Sequence, residues 1–439
     1  MLTKPIGRGT IMALAGFGAA FAIATCQSAK AATWCVNVKN PTCFSTIGSA
    51  VAAAAAGDTI QVAAGAYKED VVITKSLSLL GAAQQAGGLA GTSVIDATGL
   101  SNGIFVTGTV GAPGSKISEV VIAGFTIENA NFEGILVVNA SDVTIWGNQV
   151  IHNDLGLDIA GMTCPGQPAF ETSEGDDCGE GIHLMGVDHS TLAQNLSEQN
   201  SGGILITDET GAAYDNLITG NTVRDNPFDC GITLASHPPA PATGAALPFG
   251  VNHNTVSQNQ STGNGIQVPG AGAGVGIFAP FPGTTNSANV IIGNQLSYNG
   301  LPGVTMHNHA ASPMAAPVNM NDNIIVGNTI TANGADTEDA ATPGTAGINI
   351  FSIAPVTGTI VSQNKIGQEA LDVVFNAPGE LEAHLNDFEG SGIGVDNLGT
   401  GTVNATQNWW GCVAGPNNFG CLQVVGSGVV FVPVLTKPF

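Results

Sequence analysis

The sequence predicts an all-β, single-domain, right-handed parallel β-helix of about ten to twelve coils, because its repeats have a fixed internal layout. The first observation is that asparagines recur in pairs with a constant spacing of five residues. The second is that a short apolar run precedes most pairs and a strand led by glycine follows most of them. The third is a repeat without insertions near the end of the chain, where Asn364, Asn386 and Asn408 follow one another at intervals of 22 residues. The pairs are Asn148 and Asn153, Asn195 and Asn200, Asn221 and Asn226, Asn259 and Asn264, Asn294 and Asn299, and Asn328 and Asn333.

Each unit therefore consists of a strand, an asparagine turn, a strand, a second asparagine turn and a glycine-led strand. Asparagine tolerates the left-handed conformation that a sharp corner needs, and we expect the asparagines themselves to adopt it. Identical amides stacked from coil to coil can also satisfy one another, and a buried amide without its partner costs about 1 to 3 kcal/mol. Strands alternate, so Ile204 and Ile206 should point inward while Leu205 and Thr207 point outward.

The N-terminus has the layout of a secretory signal. Lys4 and Arg8 precede an apolar run from Ile11 to Ala24, and small residues follow at Ala29 and Ala31. This layout predicts cleavage after Ala31 or Ala32 and excludes residues 1–31 from the fold.

A lipoprotein anchored at Cys26 is the alternative, but Thr25 is unusual directly before a lipidated cysteine. No other run is long and apolar enough to predict a transmembrane segment. We therefore expect a secreted or periplasmic protein, and a monomer.

The charge balance limits the partners. The chain has 10 Lys+Arg against 33 Asp+Glu, and removal of Lys4, Arg8 and Lys30 leaves 7 against 33, a net charge of −26. Nucleic-acid binding is excluded, because phosphate contacts need basic residues. The acidity weakly favours divalent cations such as Ca²⁺.

The cysteines also indicate export. Of eight cysteines, six form close pairs in sequence, and short disulfide loops in an oxidising compartment are the favoured interpretation. The remaining Cys230, at the start of a glycine-led strand, is interpreted as a buried small apolar residue. The predicted disulfides are Cys35 with Cys43, Cys164 with Cys178, and Cys412 with Cys421.

One helix is predicted, over Cys43 to Ala56, with Ile47, Val51 and Ala54 on one face. We expect it to cover the first coil, because an open strand edge recruits other chains. The predicted organisation is a signal peptide at 1–31, an N-terminal cap at 32–60, the β-helix at 61–411 and a C-terminal cap at 412–439.

The segment "GDTIQVAAGAYKEDVVITKSLSLLGA", the repeated "GN" coils and the terminal "NWWG" resemble the pectin-lyase-like superfamily. The resemblance covers nearly all of the chain after the signal, within the group that includes carbohydrate-processing enzymes and periplasmic NosD-type proteins. It implies the fold and, more loosely, an activity on polysaccharides. The catalytic motifs of the hydrolases, lyases and epimerases in this superfamily are not reproduced here, so no catalytic set is carried over.

Insertions accompany the glycine-led strands, and we predict that they form walls beside one groove. In the enzymes that this chain resembles, the corresponding face is the substrate cleft. The alternative is that a solenoid tolerates insertions anywhere on its surface. The insertions are Met162 to Gly179, His237 to Gly250, Pro269 to Gly274, Ala310 to Val318, and Ala335 to Thr345.

Candidate catalytic residues lie on the outward side of the glycine-led strands. Asp158 and Asp208, with His183 between them, are the preferred set, because coils stack about 5 Å apart and glycosidic cleavage needs carboxyl groups roughly 5 to 10 Å apart. The alternative is that these acids bind Ca²⁺ or solvate the surface. Candidate substrate-binding residues are Glu180, Thr207, Glu209, Thr233, His237, Gln267 and Asn349.

Two sets of residues are candidate metal ligands. Asp176 and Asp177 form an acidic doublet, and His307 and His309 have the alternate spacing that puts two imidazoles on one side of a strand. Ca²⁺ is the cofactor considered for the acids. Arg224, the one arginine after the signal, is predicted to pair with Glu198 one coil earlier.

The sequence thus predicts an exported protein that binds, and as an enzyme cleaves, a polysaccharide in a groove along the glycine-led sheet. The alternative function is a non-catalytic, adhesin-like surface protein or a periplasmic, metal-binding NosD-type solenoid.

Overall fold

A computed structural model describes residues 31–85, 92–109, 116–154, 167, 179–237, 249–268, 270–308 and 318–439. Three long parallel sheets run through these residues, and each coil contributes one strand to each sheet. The first sheet consists of Thr33–Val36, Asp58–Val62, Leu77–Leu80, Val120–Ala123, Thr144–Trp146, Thr191–Ala193, Leu217–Thr219, Thr255–Ser257, Val290–Ile292, Ile324–Val326, Val356–Ser362, Gly379–His384, Thr402–Asn404 and Val429–Val430. The second sheet consists of Gly65–Tyr67, Ser93–Asp96, Thr126–Glu128, Gln149–Ile151, Leu196–Glu198, Thr222–Arg224, Gln260–Thr262, Gln295–Ser297, Thr329–Thr331, Lys365–Gly367, Asp387–Glu389 and Trp409–Trp410.

The third sheet contains the glycine-led strands and is called the glycine-led sheet below. Its strands are Val71–Ile73, Ile104–Thr107, Ile135–Val138, Glu180–Met185, Gly202–Thr207, Ile232–Ala235, Val275–Phe278, Val304–His307, Ala346–Phe351, Leu371–Asn376, Ile393–Asn397 and Gln423–Gly426. Two small sheets pair Ile117–Ser118 with Ala140–Ser141, and Val251–Asn252 with both Ala213–Tyr214 and Asn286–Ser287. The predicted parallel β-helix and its coil number are confirmed.

Asparagine columns run along the corners between the sheets. In the first column, between the first and second sheets, each Nδ2 donates to the next Oδ1 at 2.9–3.1 Å. This column contains Asn148, Asn195, Asn221, Asn259, Asn294, Asn328, Asn364, Asn386 and Asn408. The second column, before the glycine-led sheet, has the same pattern at 2.9–3.4 Å. It contains Asn153, Asn200, Asn226, Asn264, Asn299 and Asn333, so the predicted stacking of all six pairs is confirmed.

A third column, which the sequence analysis did not predict, precedes the first sheet. Its amides are linked at 2.9–3.2 Å in the same way. The members are Asn216, Asn254, Asn289 and Asn323.

The expectation that the asparagines themselves take the left-handed conformation is wrong. The residue before the column asparagine takes it instead, as at Gln194 with φ 54° and Gly220 with φ 63°. One left-handed residue turns the corner, and the asparagine that follows points its amide inward to stack. This explains the repeated "GN", because glycine adopts positive φ without strain.

The helix spans Ile47–Ala53, which is shorter than the predicted Cys43 to Ala56. The Glu69 carboxylate accepts hydrogen bonds from the first backbone N–H groups, and Lys75 Nζ donates to the carbonyl oxygens of Val51 and Ala54 at the other end. These contacts satisfy the backbone groups that a short helix leaves unpaired. Further short helices are Ala82–Gln85 and the 3-10 turn Glu338–Ala340.

One continuous hydrophobic core runs from Val36 to Leu422 and includes the helix residues Ile47 and Val51. Ile204 and Ile206 belong to it, which confirms the predicted alternation. The first sheet begins at Thr33–Val36, within the segment predicted as the N-terminal cap.

The disulfides Cys35–Cys43 and Cys412–Cys421 are formed, with Cα–Cα distances of 5.0 and 5.3 Å. The pair Cys164 and Cys178 lies outside the described residues, as do the signal segment through residue 30 and Cys26. Cys230 is 2% exposed and unbonded to another cysteine, as expected, and burial raises the pKa of its thiol well above the ordinary value. Within the described part of the chain, no helix has the length and apolarity to cross a bilayer.

After Asn264 the repeat predicts a glycine-led strand at "GIQV", residues 265–268, and this prediction is wrong. Gly265 has φ +64° and lies directly against Gly272, so the chain turns there. The strand of that coil is Val275–Phe278.

The insertions do not share one phase. Those ending at Gly179, Gly274 and Thr345 precede a glycine-led strand, whereas those beginning at His237 and Ala310 follow one. They therefore attach at both ends of the glycine-led strands, and the walls beside one groove stay a prediction, because many of the insertion residues lie outside those that the structure describes.

Candidate functional site

The candidate site lies on the outward side of the glycine-led sheet, where neighbouring strands place titratable side chains beside one another. Ile135 pairs with Ile182, so the residues two positions earlier, Glu133 and Glu180, occupy equivalent places on successive coils. His183 lies between Leu136 and Leu205 on the neighbouring coils. The acid–histidine cluster is defined here as Glu133, Glu180, His183, Thr207, Glu209 and His237.

His183 is held from both sides of its ring. Its Nδ1 lies 3.0 Å from Oε1 of Glu133, and its Nε2 lies 2.8 Å from Oγ1 of Thr207. The second oxygen of Glu133 accepts the backbone N–H of Glu180 at 2.8 Å. The imidazole is therefore fixed in position and orientation.

A second histidine–carboxylate pair follows one coil on. Nδ1 of His237 lies 2.8 Å from Oε1 of Glu209. The charge of His183 also lowers the pKa of the Glu209 carboxyl, which connects the two pairs.

Asp208 holds the two ends of an insertion. Its carboxylate accepts from the backbone N–H groups of His237 and Gly250 and from the hydroxyl of Ser236. This contact set fixes the residues that flank the insertion against the sheet.

Adjacent carboxyl groups differ sharply in proton affinity. Burial raises the pKa of Asp208 to about 7, although the Gly250 N–H opposes the rise. Burial also raises the pKa of Glu209, but the charge and hydrogen bond of His237, followed by His183 and Thr207, outweigh it and bring the pKa to about 2. One carboxyl therefore retains a proton near neutral pH while its neighbour is ionised.

The cluster does not line an open groove, as the sequence predicted, but is buried. Its members are at most 2% exposed, and Asp208 is fully buried. Alternation places His183 and Thr207 outward, as predicted, yet an outward position on this sheet is not an exposed one.

A separate cluster surrounds His307. Nδ1 of His307 lies 2.7 Å from Oδ2 of Asp336, Nε2 lies 3.4 Å from Asp339, and Asn349 Nδ2 donates to the same Asp336 oxygen at 2.9 Å. Burial lowers the pKa of His307, but the bond to Asp336 outweighs it, so the pKa is raised overall. The imidazole has a carboxylate partner at each nitrogen.

The remaining predicted residues are scattered. Thr233 is buried on the sheet two coils after His183, whereas Gln267 is exposed in the turn that replaces the predicted strand. Arg224 donates to Glu198 at 3.1 Å, as predicted. The residues Asp158, Asp176, Asp177 and His309 lie outside the described residues.

Sequence reasoning missed Glu133 and Asp336. The signal for Glu133 was present, because "EGI" occurs at Glu133 and again at Glu180, before two successive strands of the sheet. Asp336 had no such signal, since it lies in an insertion.

The cluster offers two kinds of chemistry. Its carboxyl groups and imidazoles can transfer protons, and one ligand atom each from Glu133, Glu180 and His183 lie within 4.8 Å of one another, as a metal ion requires. Among the described residues this is the one group of three or more such side chains that meets this distance.

Residues 102–279 match the family model described as a right-handed beta helix region. This match confirms the handedness and the resemblance that the sequence predicted. No curated protein matches the chain.

The chain is also similar to solved structures at low identity. An alginate lyase from Paenibacillus sp. str. FPU-7 is 12% identical, with 91% of this chain and 99% of that chain covered and a TM-score of 0.41. PfbA, a surface adhesin of Streptococcus pneumoniae, is 11% identical, with 88% and 85% covered and a TM-score of 0.49. ORF18 of Geobacillus virus E2 is 12% identical with a TM-score of 0.45; the match covers 88% of this chain but only 58% of the viral chain.

Proposed function

We propose that this chain is an exported protein that binds and cleaves a polysaccharide on the outward side of the glycine-led sheet. Asp208 serves as the proton donor, Glu209 as the ionised carboxylate, and His183 as the neighbouring group whose charge helps to keep Glu209 ionised. Asp158 stays in the proposed catalytic set because of its position in the sequence alone.

One observation carries the proposal: two consecutive carboxyl groups with opposite protonation preferences lie in one hydrogen-bonded cluster. The pKa of Asp208 is raised to about 7, and that of Glu209 is lowered to about 2. A proton donor is most effective when its pKa is near the working pH, and glycosidic cleavage uses one protonated and one ionised carboxyl group.

The burial of the cluster sets a requirement on this mechanism. A sugar ring reaches Asp208 only when binding exposes that side chain. The proposal therefore includes a conformational change on substrate binding, which should appear as faster hydrogen exchange of the Asp208 and Glu209 amides with a bound oligosaccharide.

The test is a panel of neutral and uronate polysaccharides, with and without Ca²⁺, assayed for new reducing ends or unsaturated products. Asp208→Asn, Glu209→Gln and His183→Ala should each lower the rate at least about 100-fold, because positioned proton transfer contributes about 10²–10⁴-fold. The matched control is Asp215→Asn, a half-exposed aspartate outside the cluster, which should retain the rate. Absence of both depolymerisation and retention on every glycan would overturn the proposal.

A second candidate function is a non-catalytic, adhesin-like surface protein. The near-complete burial of the cluster favours it, because the buried acids then only hold insertions and coils together. This function predicts glycan or surface binding that Glu209→Gln and His183→Ala leave unchanged, with no cleavage by the unmodified protein.

A further inference from the structure

We propose that Glu133, Glu180 and His183 form a binding site for one divalent transition-metal ion, of which Zn²⁺ is the probe. The site is distinct from the metal ligands predicted at Asp176, Asp177, His307 and His309. It does not depend on whether the chain cleaves a polysaccharide.

The geometry is close to that of a three-ligand site. Nδ1 of His183 and Oε1 of Glu133 are 3.0 Å apart, and the ligand atom of Glu180 lies within 4.8 Å of both. Ligands of a zinc ion at about 2.0–2.2 Å lie roughly 3.3 Å from one another in a tetrahedral site. A small rotation of the Glu180 side chain therefore completes the set and leaves a fourth position for another ligand.

The contacts of His183 direct its Nδ1 toward the Glu133 carboxylate, 3.0 Å from Oε1. Its Nε2 lies 2.8 Å from Oγ1 of Thr207, a hydroxyl that can accept a ring N–H. In the tautomer with the hydrogen on Nε2, Nδ1 presents its lone pair to a cation shared with Glu133.

The same contacts pre-orient the ligands. Metal-bound histidines usually donate their other ring N–H to a partner, and the Nε2 contact to Thr207 supplies that partner. The backbone N–H of Glu180 holds the other oxygen of Glu133, so that carboxylate is also fixed. Two of the three ligands thus need no rearrangement to bind a cation.

The seven lysines and arginines outside residues 1–31 make their contacts elsewhere. Four of them contact other groups, and three are exposed. Those with contacts are Lys75 on helix carbonyls, Lys116 on Asp188, Arg224 on Glu198 and Lys365 on Glu389; the exposed ones are Lys39, Lys68 and Lys437.

The donor atoms select the class of ion. An imidazole ligand favours zinc-like ions, whereas Ca²⁺ and Mg²⁺ prefer oxygen ligands alone.

The experiment measures bound metal in the full chain. Protein produced with added Zn²⁺ is dialysed against metal-free buffer, and zinc is quantified by inductively coupled plasma mass spectrometry beside the melting temperature. We expect about one zinc per chain and a melting temperature that falls when a chelator removes it, because a ligand of the folded state alone stabilises that state. The control is His253→Ala, at an exposed turn histidine, which should keep the ion.

Glu180→Gln and His183→Ala should each lose the bound zinc while far-UV circular dichroism still shows the β-helix. Glu180→Gln is nearly isosteric, so its zinc content still tests the proposed site if His183→Ala does not fold. Unmodified protein without zinc would overturn the proposal, as would equal zinc in Glu180→Gln. Loss of the ion in His307→Ala but not in Glu180→Gln would also overturn it, by assigning the ion to the His307 cluster. Polysaccharide cleavage is not part of this readout, so failure of this site and failure of the proposed function are separate outcomes.

Discussion

At the scale of single residues, the second asparagine column ends on a carboxylate. Glu369 takes the next place after Asn333 and accepts its backbone N–H at 3.0 Å and its Nδ2 at 3.2 Å. Burial raises the pKa of Glu369 to about 7, although the two Asn333 donors oppose the rise. A side chain that can ionise therefore closes a column made otherwise of neutral amides.

The presence of Glu369 at the end of the column makes the free energy of unfolding depend on pH. The folded pKa of Glu369 lies above its ordinary value of 4.5, so between these values the folded state binds more protons than the unfolded state. The contribution of Glu369 to the free energy of unfolding is then greatest below about pH 4.5 and falls as the pH rises toward about 7. Glu369→Gln should reduce this fall, as measured by urea unfolding at about pH 5 and about pH 7.5.

Asp208 and Asp372 also have raised pKa values, because both are buried. Part of the decrease in the free energy of unfolding between about pH 5 and about pH 7.5 should therefore remain in Glu369→Gln. The control is Glu380→Gln at an exposed position, which should leave the fall unchanged. Equal pH profiles for Glu369→Gln and the unmodified protein would contradict the assignment.

At the scale of elements, the glycine that leads a strand is explained by the column asparagine of the next coil. A Cβ on Gly231 would lie 2.7 Å from Nδ2 of Asn264 and 2.0 Å from Oγ of Ser261. The same amide collision occurs at Gly134 with Asn153, at 2.8 Å. The stacked amide occupies the space that a side chain would need.

The glycines and the column asparagines end on the same coil. Asp372 takes the position of Gly347 on the next coil, where Glu369 takes the place of the column asparagine. A Cβ on Gly347 would meet Ile366 at 2.4 Å and no amide, so this last glycine has another cause.

Gly231→Ala tests this coupling. The added methyl forces Ser261 or the Asn264 amide to move, and such overpacking costs about 1–3 kcal/mol. The control is Gly211→Ala, where the nearest heavy atom would be 3.9 Å away. The two free energies of unfolding should differ by more than about 1 kcal/mol. Equal values would show that the amide column rearranges around the added methyl group without destabilising the protein.

At the scale of the whole molecule, the regular parts of the fold could be predicted from the sequence because they depend on a local repeat. The spacing of Asn221 and Asn226 identified both corners of a coil. The third column was missed although its signal was present, because Asn216, Asn254, Asn289 and Asn323 each lie five residues before a member of the first column. Residues 265–268 were mistaken for a strand because the pattern of Gly265 onward matched, while the close contact of Gly265 with Gly272 depends on residues that a short window does not compare.

The candidate site was predicted less completely. His183, Thr207 and Glu209 were identified from alternation, which is a local property. Their burial and the role of Glu133 depend on contacts between residues 24 to 50 positions apart, such as the 50-residue separation of Glu133 and His183. Such contacts follow from insertion length and coil order, which one sequence does not reveal.

The stacking of coils makes a prediction about how mutations combine. Each coil contacts only its neighbours, so stability is approximately a sum of coil and nearest-neighbour contributions. Asn221 donates to Oδ1 of Asn259 through its backbone N–H at 2.9 Å and through Nδ2 at 3.0 Å. Asn195 and Asn386 lie in the same column but several coils apart.

Asn221→Ala and Asn259→Ala should each destabilise the protein by about 1–3 kcal/mol, since each leaves buried polar groups without partners. Because the second substitution removes bonds that the first has already broken, the double variant should lose less than the sum, with a coupling energy of about 0.5–3 kcal/mol. The pair Asn195→Ala and Asn386→Ala should instead add within about 0.5 kcal/mol. Urea unfolding of both cycles measures this difference. Strong coupling between the distant pair would mean that the columns act as one cooperative unit along the molecule, and a sum of nearest-neighbour contributions would then not describe the solenoid.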